Sequence, residues 1–297
     1  MKRFGLIGSN IGHSGSPELF RRAYDGQWPY ELLEGTDFQV LWKRFLDSYQ
    51  GVNVTAPFKE KAYEQIVALT ADGLGAITGP AMKAGAVNLA VKTDDGILGD
   101  NTDFSAVILS TAELCFPGIT REFLSEFGAS FHVKVHKFFR QKFDELYPGG
   151  GQTLVVGCGG AGRAAAVAAA ELGYDVMLLN RTQEKAAGFA LSRQEYGFAV
   201  CPAQELKNAV KSCDLIIYAA SGAAQELTSL QAEDFVAIPG HRGKIVIEAN
   251  YKEPSFKASL LDKIALAGAT YVPGQNWLLL QALAGYSTLT GALPKIF

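Results

Sequence analysis

The run Gly157-Cys158-Gly159-Gly160-Ala161-Gly162 places glycine at the first, third and sixth positions of a six-residue loop. It follows the apolar run Thr153 to Val156 and precedes an alanine-rich stretch, which predicts a strand, a turn and a helix. Glycines there allow a tight turn and let backbone amides approach a pyrophosphate at the positive end of the helix. The loop therefore predicts a dinucleotide site rather than a plain turn. Its predicted cofactor contacts are Gly157, Gly159, Gly160, Ala161 and Gly162.

Asn180, Arg181 and Thr182 follow the next predicted strand, Asp175 to Leu179, and Lys185 lies one helical turn later. A cofactor with a free ribose 2′-hydroxyl usually meets an acidic residue at this position. The guanidinium of Arg181 instead suits a 2′-phosphate, which it can bind through two hydrogen bonds. The sequence therefore favours NADP over NAD. The structural alternative for Arg181 is a solvated surface residue.

Four polar segments in the first third of the chain end or follow predicted strands, where open α/β sheets bind ligands. Their hydroxyl, amide, carboxylate and ammonium groups suit a polyhydroxylated carboxylic acid. The structural alternative for Lys59 is a surface lysine, and a helix cap is an alternative or additional role for Asp103. Ser16 is also predicted to cap a helix. The segments are His13 to Pro17, Asn53 to Lys59, Ala86 to Asn88 and Gly99 to Asp103.

Apolar runs alternate with stretches of helical spacing along most of the chain, which predicts an α/β fold with mostly parallel sheets. A turn at Thr93 to Asp95 is predicted to join two of the strands. Predicted strands cover residues 3–8, 30–33, 51–55, 86–91, 96–99, 153–156, 175–179, 215–219 and 244–247. Predicted helices begin at Pro17 and cover residues 38–49, 59–69, 102–115, 163–172, 183–196 and 277–293.

Residues 116–147 are rich in aromatic side chains and carry little strand signal. Phe123, Phe127 and Phe131 are spaced four apart, which predicts two helical pieces interrupted near Gly128. Aromatic stripes with this spacing usually pack into a core. The run Pro148 to Gly151 predicts a linker before the dinucleotide-binding region.

The composition excludes several classes of partner. The formal net charge is −3 and the basic residues are scattered, so no nucleic-acid partner is expected. No apolar run is long enough to cross a membrane. The four cysteines have neither disulfide nor metal spacing, which favours a reduced, cytoplasmic setting. His132 and His136 are four apart without a third ligand, so no metal site is predicted.

Seven short motifs follow one another along nearly the whole chain. They are Ser14 to Pro17, Asn53 to Lys59, Ala86 to Asn88, Asp100 to Asp103, the glycine loop, Asn180 to Thr182, and Gly274 with Leu278 and Gln281. Each motif is weak alone, but the ordered series resembles the shikimate dehydrogenase family. The resemblance implies reversible reduction of 3-dehydroshikimate to shikimate by NADPH in aromatic amino acid biosynthesis, the chorismate pathway.

The resemblance also implies roles for individual residues. Lys59 and Asp103 would form the catalytic pair, in which Lys59 donates a proton to an oxygen on which negative charge develops and Asp103 orients the Lys59 ammonium. Ser14 and Ser16 would bind the substrate carboxylate. The other implied substrate contacts are Thr55, Asn88 and Gln281, which would bind hydroxyls, and Tyr251, which would line the site. The implied cofactor site adds Asn180, Arg181, Thr182, Lys185, Ser221 and Gly274 to the glycine loop.

Two lobes are expected from the resemblance: an N-terminal α/β substrate domain and a Rossmann-type dinucleotide-binding domain. The substrate-binding and catalytic domain would cover residues 1–103, with residues 274–297 packing back on it. The NADP-binding domain would cover residues 104–273 and include an aromatic-rich helical insertion at about 116–147. The expected partner is a small-molecule substrate, shikimate or 3-dehydroshikimate, with a homodimer as a possible assembly.

Three positions depart from the family pattern. Phe104 stands where glycine is usual, Trp277 stands where methionine is common, and Tyr218 begins the segment that matches the family's Asn-Ala-Thr-Ser. The resemblance places the Tyr218 and Trp277 regions near the nicotinamide end of the cofactor. We therefore expect these changes to affect cofactor affinity and turnover more than the fold. Two alternatives stay open. The first is a close variant that acts on quinate as well as shikimate, or that uses NAD. The second is a ligand-binding regulatory paralogue with little turnover.

Overall fold

A computed structural model describes residues 1–220 and 225–295 of the chain. It divides into two compact units, Met1–Ser105 with Leu279–Phe297, and Ala106–Leu278. In the described residues, no helix is long and apolar enough to span a membrane.

The first unit contains a six-stranded mixed sheet, counted over the described residues. Its strands are β1 (Phe4–Gly8), β2 (Tyr30–Glu34), β3 (Gly51–Val54), β4 (Gly75–Ile77), β5 (Leu89–Thr93) and β6 (Gly96–Asp100). The order across the sheet is β2-β1-β3-β5-β6-β4. β5 runs antiparallel to both β3 and β6, and the predicted turn at Thr93 to Asp95 closes the hairpin between β5 and β6. The other neighbouring strands are parallel.

Helices cover both faces of this sheet. They are α1 (Ser16–Ala23), α2 (Phe38–Ser48), α3 (Lys59–Thr70) and α4 (Gly79–Ala84), together with the last residues of α12 (Gly274–Thr290). One core joins α2 and α3 to the sheet through Trp42, Phe45 and Ile66. The other joins α1 and α12, where Phe20 lies 5.1 Å from the ring of Tyr286. Burial of a large apolar side chain contributes roughly 1.5–3 kcal/mol, so these two cores fix the strand ends that carry the polar segments.

The second unit contains a six-stranded sheet in which all neighbouring strands are parallel, again over the described residues. Its strands are β7 (Gln152–Val156), β8 (Asp175–Leu179), β9 (Ala199–Val200), β10 (Leu215–Tyr218), β11 (Ile245–Glu248) and β12 (Thr270–Val272). The order β12-β11-β10-β7-β8-β9 reverses direction at β7, which is the Rossmann arrangement. The predicted α/β fold with a Rossmann-type unit is confirmed.

The remaining helices are α5 (Asp103–Cys115), α6 (Ile119–Phe127), α7 (Phe131–Leu146), α8 (Gly160–Leu172), α9 (Gln183–Ser192), α10 (Leu206–Ser212) and α11 (Ala258–Leu266). The aromatic stretch forms α6 and α7, separated by a 3₁₀ turn at Gly128–Ser130. Phe139 and Phe143 of α7 are buried, and Phe143 lies 4.8 Å from the ring of Tyr174. These aromatic residues therefore belong to the core of the second unit.

The observed secondary structure differs from the predicted secondary structure mainly in short elements. β4, β9, β12, α4, α10 and α11 were not predicted, and the strand predicted over 86–91 is observed at Leu89–Thr93. The three missed strands have two or three residues, too few to show a period-2 apolar pattern. Their neighbours in the sheet stabilise them, and that information is not local.

Candidate active site

Lys59 and Asp103 form an ion pair in the first unit. Lys59 is the first residue of α3 and Asp103 is the first residue of α5. The Lys59 Nζ donates to Asp103 Oδ2 at 2.6 Å, and the two side chains are 13% and 2% exposed. Asp103 is thus a buried carboxylate with a cation against it, whereas Lys59 keeps some access to solvent. An ammonium held in this way has donors that can reach a ligand.

The backbone of Asp103 is held by Asn101. Asn101 Oδ1 accepts a hydrogen bond from Asp103 N at 3.1 Å, and its Nδ2 donates to Ala86 O at 2.9 Å. Asn101 therefore supplies a side-chain oxygen to a backbone amide at the start of α5. The Asp103 carboxylate faces Lys59.

Asn88 connects two other parts of the first unit. Its Nδ2 donates to Thr102 Oγ1 at 3.1 Å and to Gln281 Oε1 at 3.2 Å, and its Oδ1 accepts from Thr102 N at 2.8 Å. Asn88 is 1% exposed. The structure therefore brings together Asn88 and Gln281, two of the predicted substrate contacts, and adds Thr102, for which the sequence predicted no role.

Gly285 allows α12 to approach this network. A Cβ on Gly285 would lie 2.8 Å from Leu89 Cδ1 and 2.9 Å from Thr102 Cγ2, closer than real Cβ atoms come to other atoms. Since Gln281 lies one helical turn earlier, the absence of a side chain at Gly285 helps to hold Gln281 against Asn88.

Ser14 and Ser16 lie together at the start of α1. Ser14 Oγ donates to Ser16 Oγ at 3.1 Å and accepts from Ser16 N at 3.2 Å. The prediction that Ser16 caps the helix is wrong, because the cap residue is Gly15 and Ser16 is the first helical residue. The helix begins one residue earlier in the chain than the Ser-Pro pattern suggests. Thr55 follows β3 and is half-buried, and its amide donates to Ile7 O at 2.9 Å.

The glycine loop of the second unit joins β7 to α8. Gly157 has a φ of +103°, and a Cβ there would lie 2.7 Å from Ala220 N. A Cβ on Gly162 would lie 1.8 Å from Gly157 O. Gly159, at the exposed tip, has no atom within 4 Å of its Cβ position. The loop is therefore packed tightly on its inner side and open at its tip, where the first amides of α8 lack helical partners.

The polar residues after β8 surround this loop. Asn180 Oδ1 accepts from Cys158 N at 2.9 Å, and its Nδ2 donates to Thr182 O at 2.8 Å. Arg181 and Lys185 are exposed. Burial raises the pKa of the Cys158 thiol to about 11, so this cysteine is a neutral packing residue at pH 7. Two exposed cations therefore follow β8, and the neighbouring strand β7 leads into the glycine loop.

The loop after β11 carries Tyr251, which is half-buried and whose carbonyl oxygen accepts from Gln275 Nε2 at 3.2 Å. A Cβ on Gly274 would lie 2.5 Å from Asn250 C, so α12 starts directly against this loop. Trp277 is 3% exposed and therefore packed. Ser221 lies outside the described residues.

Tyr218 is a core residue of the second unit. It is 1% exposed, its hydroxyl donates to Glu226 Oε1 at 2.8 Å, and its ring lies 5.6 Å from Phe256. Burial and the bond to Glu226 both raise the pKa of Tyr218. The side chain that departs from the family pattern is thus directed into the core.

Sequence reasoning missed several residues that hold the site rather than line it: Asn101, Thr102, Arg163, Asn250 and Gly285. Asn101 and Thr102 belong to the Asp100 to Asp103 motif, so the motif itself was a signal for them. Asn250 Nδ2 donates to Ala220 O at 2.7 Å. This bond joins the segments after β11 and β10, and no local sequence pattern predicts it.

Two family models match the chain. The shikimate dehydrogenase substrate binding domain matches residues 6–90, and shikimate / quinate 5-dehydrogenase matches residues 139–247. Together these ranges cover more than half of the chain. The chain belongs to the shikimate dehydrogenase family. Residues 91–138, which include α6, lie outside both matched ranges.

The similarity to individual relatives covers nearly the whole chain. A shikimate dehydrogenase (NADP(+)) from Acidiphilium cryptum is 28% identical, over 98% of this chain and 91% of the relative. One of the same name from Halobacterium salinarum is 29% identical, over 98% of this chain and 94% of the relative. The crystal structure of shikimate 5-dehydrogenase from Thermus thermophilus in complex with NADP(H) and shikimate is 25% identical. Its TM-score is 0.69, over 99% of this chain and 95% of that chain.

Proposed function

We propose that this chain is an NADP-dependent shikimate dehydrogenase that reversibly reduces 3-dehydroshikimate to shikimate in aromatic amino acid biosynthesis. The observation that carries the proposal is the buried Lys59–Asp103 ion pair at 2.6 Å, which supplies a positioned proton donor. Membership of the shikimate dehydrogenase family supports the substrate. The hydrogen-bonded Asn88 and Gln281 supply neutral polar groups suited to substrate hydroxyls.

The proton chemistry follows from the Lys59–Asp103 pair. Bound NADPH supplies the hydride that reduces the carbonyl carbon. The Lys59 ammonium donates a proton to the carbonyl oxygen and stabilises the negative charge that develops there. Asp103 orients Lys59, and its carboxylate can accept a hydrogen bond from a neighbouring substrate hydroxyl. In the reverse direction, the Lys59 amine accepts the proton of the shikimate hydroxyl and then releases it to solvent.

The remaining substrate contacts are proposed by their position in the family motifs. The hydroxyls of Ser14 and Ser16, which lie within hydrogen-bond distance of each other, would bind the carboxylate. Thr55, Asn88 and Gln281 would bind hydroxyls, and Tyr251 would line the site. The proposed substrate domain is residues 1–103 with 274–297, and the proposed NADP domain is residues 104–273.

The residues of the second unit fit NADP. The open tip of the glycine loop at Gly159 and the start of α8 suit a pyrophosphate. Arg181 and Lys185 are exposed cations that would bind the 2′-phosphate, with Asn180 and Thr182 beside them. The other proposed cofactor contacts are Gly157, Gly160, Ala161, Gly162, Ser221 and Gly274.

A cytoplasmic location is part of the proposal. All four cysteines are free and buried, as is usual in a reducing compartment. A homodimer stays a prediction, which light scattering of the purified chain would measure.

The test is an assay of NADP⁺ reduction by the purified chain with shikimate and with quinate. We expect turnover with shikimate, a lower kcat/KM with quinate, and a lower kcat/KM for NAD⁺ than for NADP⁺. A higher kcat/KM with quinate would contradict the substrate assignment. Binding of shikimate without turnover would support the regulatory alternative instead.

Gly285→Ala is expected to raise the KM for shikimate by about tenfold with a smaller change in kcat. The new methyl group overpacks the contact with Leu89 and Thr102, at a cost of roughly 1–3 kcal/mol, and displaces Gln281 from Asn88. Steady-state kinetics at saturating NADP⁺ measure both constants. Thr288→Ala, an exposed change in the same helix, is the control. An unchanged KM for Gly285→Ala would show that the position of Gln281 does not govern substrate binding.

A further inference from the structure

Two side chains hold the backbone of Cys158 within the glycine loop. Asn180 Oδ1 accepts from Cys158 N at 2.9 Å, and Arg163 Nε donates to Cys158 O at 3.2 Å. Asn180 follows β8, whereas Arg163 lies in the first turn of α8. Both hydrogen-bonding groups of one loop residue are thus bound by side chains on either side of the loop.

The guanidinium of Arg163 is itself supported by α9. Its central carbon lies 5.4 Å from the ring centroid of Phe189, a distance at which a cation is attracted to an aromatic face. Phe189 is 5% exposed and stacks on Phe198 with a centroid distance of 5.6 Å. Arg163 therefore connects the buried Phe189 side chain of α9 to the glycine loop.

The loop needs such support because four of its six residues are glycine. Glycine loses more conformational freedom than other residues when it is ordered. A loop that is already held in its binding conformation loses less freedom when a ligand binds, so its affinity is higher. The positive charge of Arg163 beside the loop also favours an anion there.

We propose that Arg163 is a positioning residue for the cofactor pyrophosphate and that it acts through the carbonyl of Cys158. The proposal rests on the dinucleotide site of the proposed function. It has a consequence that separates Arg163 from Arg181. NAD⁺ and NADP⁺ share the pyrophosphate, so loss of Arg163 weakens both, whereas loss of a 2′-phosphate ligand weakens NADP⁺ selectively.

The experiment is isothermal titration of NADP⁺ and NAD⁺ into the full chain and its Arg163→Met, Arg163→Lys and Arg181→Met variants. Arg163→Met is expected to raise the Kd of both nucleotides by about tenfold, the effect of one hydrogen bond to a charged group. Arg163→Lys, which keeps the charge, recovers part of the affinity. Arg181→Met raises the Kd of NADP⁺ alone. Arg193→Met, a change at a half-buried arginine that directly follows α9, is the control and leaves both Kd values unchanged.

Steady-state kinetics supply the second measurement. Arg163→Met is expected to raise the KM for NADP⁺ and to leave kcat and the KM for shikimate little changed, which a general loss of folding would not do. A loss confined to NADP⁺ overturns the proposal, because Arg163 would then be a 2′-phosphate ligand. Unchanged Kd values for both nucleotides also overturn it. If the wild-type chain binds both nucleotides but does not oxidise shikimate, the proposed function fails and the Kd comparison still decides the role of Arg163.

Discussion

Lys59→Met is expected to lower kcat for shikimate oxidation by roughly a thousandfold, within the range for loss of a general acid–base group that also stabilises charge. The KM for shikimate should change far less, because hydroxyl groups and amides supply the proposed ground-state contacts. Lys59→Arg keeps a cation next to Asp103 but cannot exchange a proton near neutral pH, so its kcat should stay low. NADPH formation measured by absorbance gives both constants.

Folding and chemistry can be separated at this site. Lys59→Met leaves the 2% exposed carboxylate of Asp103 without its cation, which should destabilise the fold by roughly 3–5 kcal/mol. The double variant Lys59→Met/Asp103→Asn removes both charges and should recover much of that stability while kcat stays low. Lys61→Met, an exposed change in the same helix, is the matched control. A kcat for Lys59→Met close to that of the wild type would exclude Lys59 from the proton transfer.

β7 and β8 of the Rossmann unit were predicted closely from the sequence. The strands predicted at 153–156 and 175–179 are observed at Gln152–Val156 and Asp175–Leu179. Long apolar runs on either side of a glycine loop are local features, and local features are what periodicity detects. β9 and β12 form the two edges of the same sheet and depend on hydrogen bonds from neighbours distant in sequence.

In the candidate site too, the sequence predicted local motifs but not the contacts between residues distant in the chain. Motifs identified Lys59 and Asp103 as a pair, but their 2.6 Å contact joins residues 44 positions apart. The Asn88–Gln281 bond joins residues 193 positions apart and depends on the return of α12 to the first unit. Gly285 and Arg163 belonged to no motif that the sequence singled out. Their importance comes from what they approach, Thr102 and Cys158, and only the fold determines that.

Gly162→Ala is the second change with a large expected effect. The new Cβ would lie 1.8 Å from Gly157 O, so α8 and the end of β7 must separate. Gly157 has no room to yield, because its own Cβ position is 2.7 Å from Ala220 N and its φ of +103° already restricts it. We expect a loss of roughly 2–4 kcal/mol in unfolding free energy and a large rise in the Kd for NADP⁺. Denaturant unfolding and nucleotide titration measure the two effects.

Two other glycines separate the causes of that loss. Gly188 lies in α9, is exposed and has no atom within 4 Å of its Cβ position, so Gly188→Ala should stabilise the fold by up to ~1 kcal/mol.

Gly159 also has open space at its Cβ position, so Gly159→Ala should leave stability nearly unchanged. A methyl group there would occupy the space in front of the loop, and affinity for both NADP⁺ and NAD⁺ should fall. If Gly159→Ala bound both nucleotides as tightly as the wild type, the pyrophosphate would not lie at the tip of this loop. If Gly162→Ala proved as stable as Gly188→Ala, the close contact between α8 and Gly157 would not be needed for the fold.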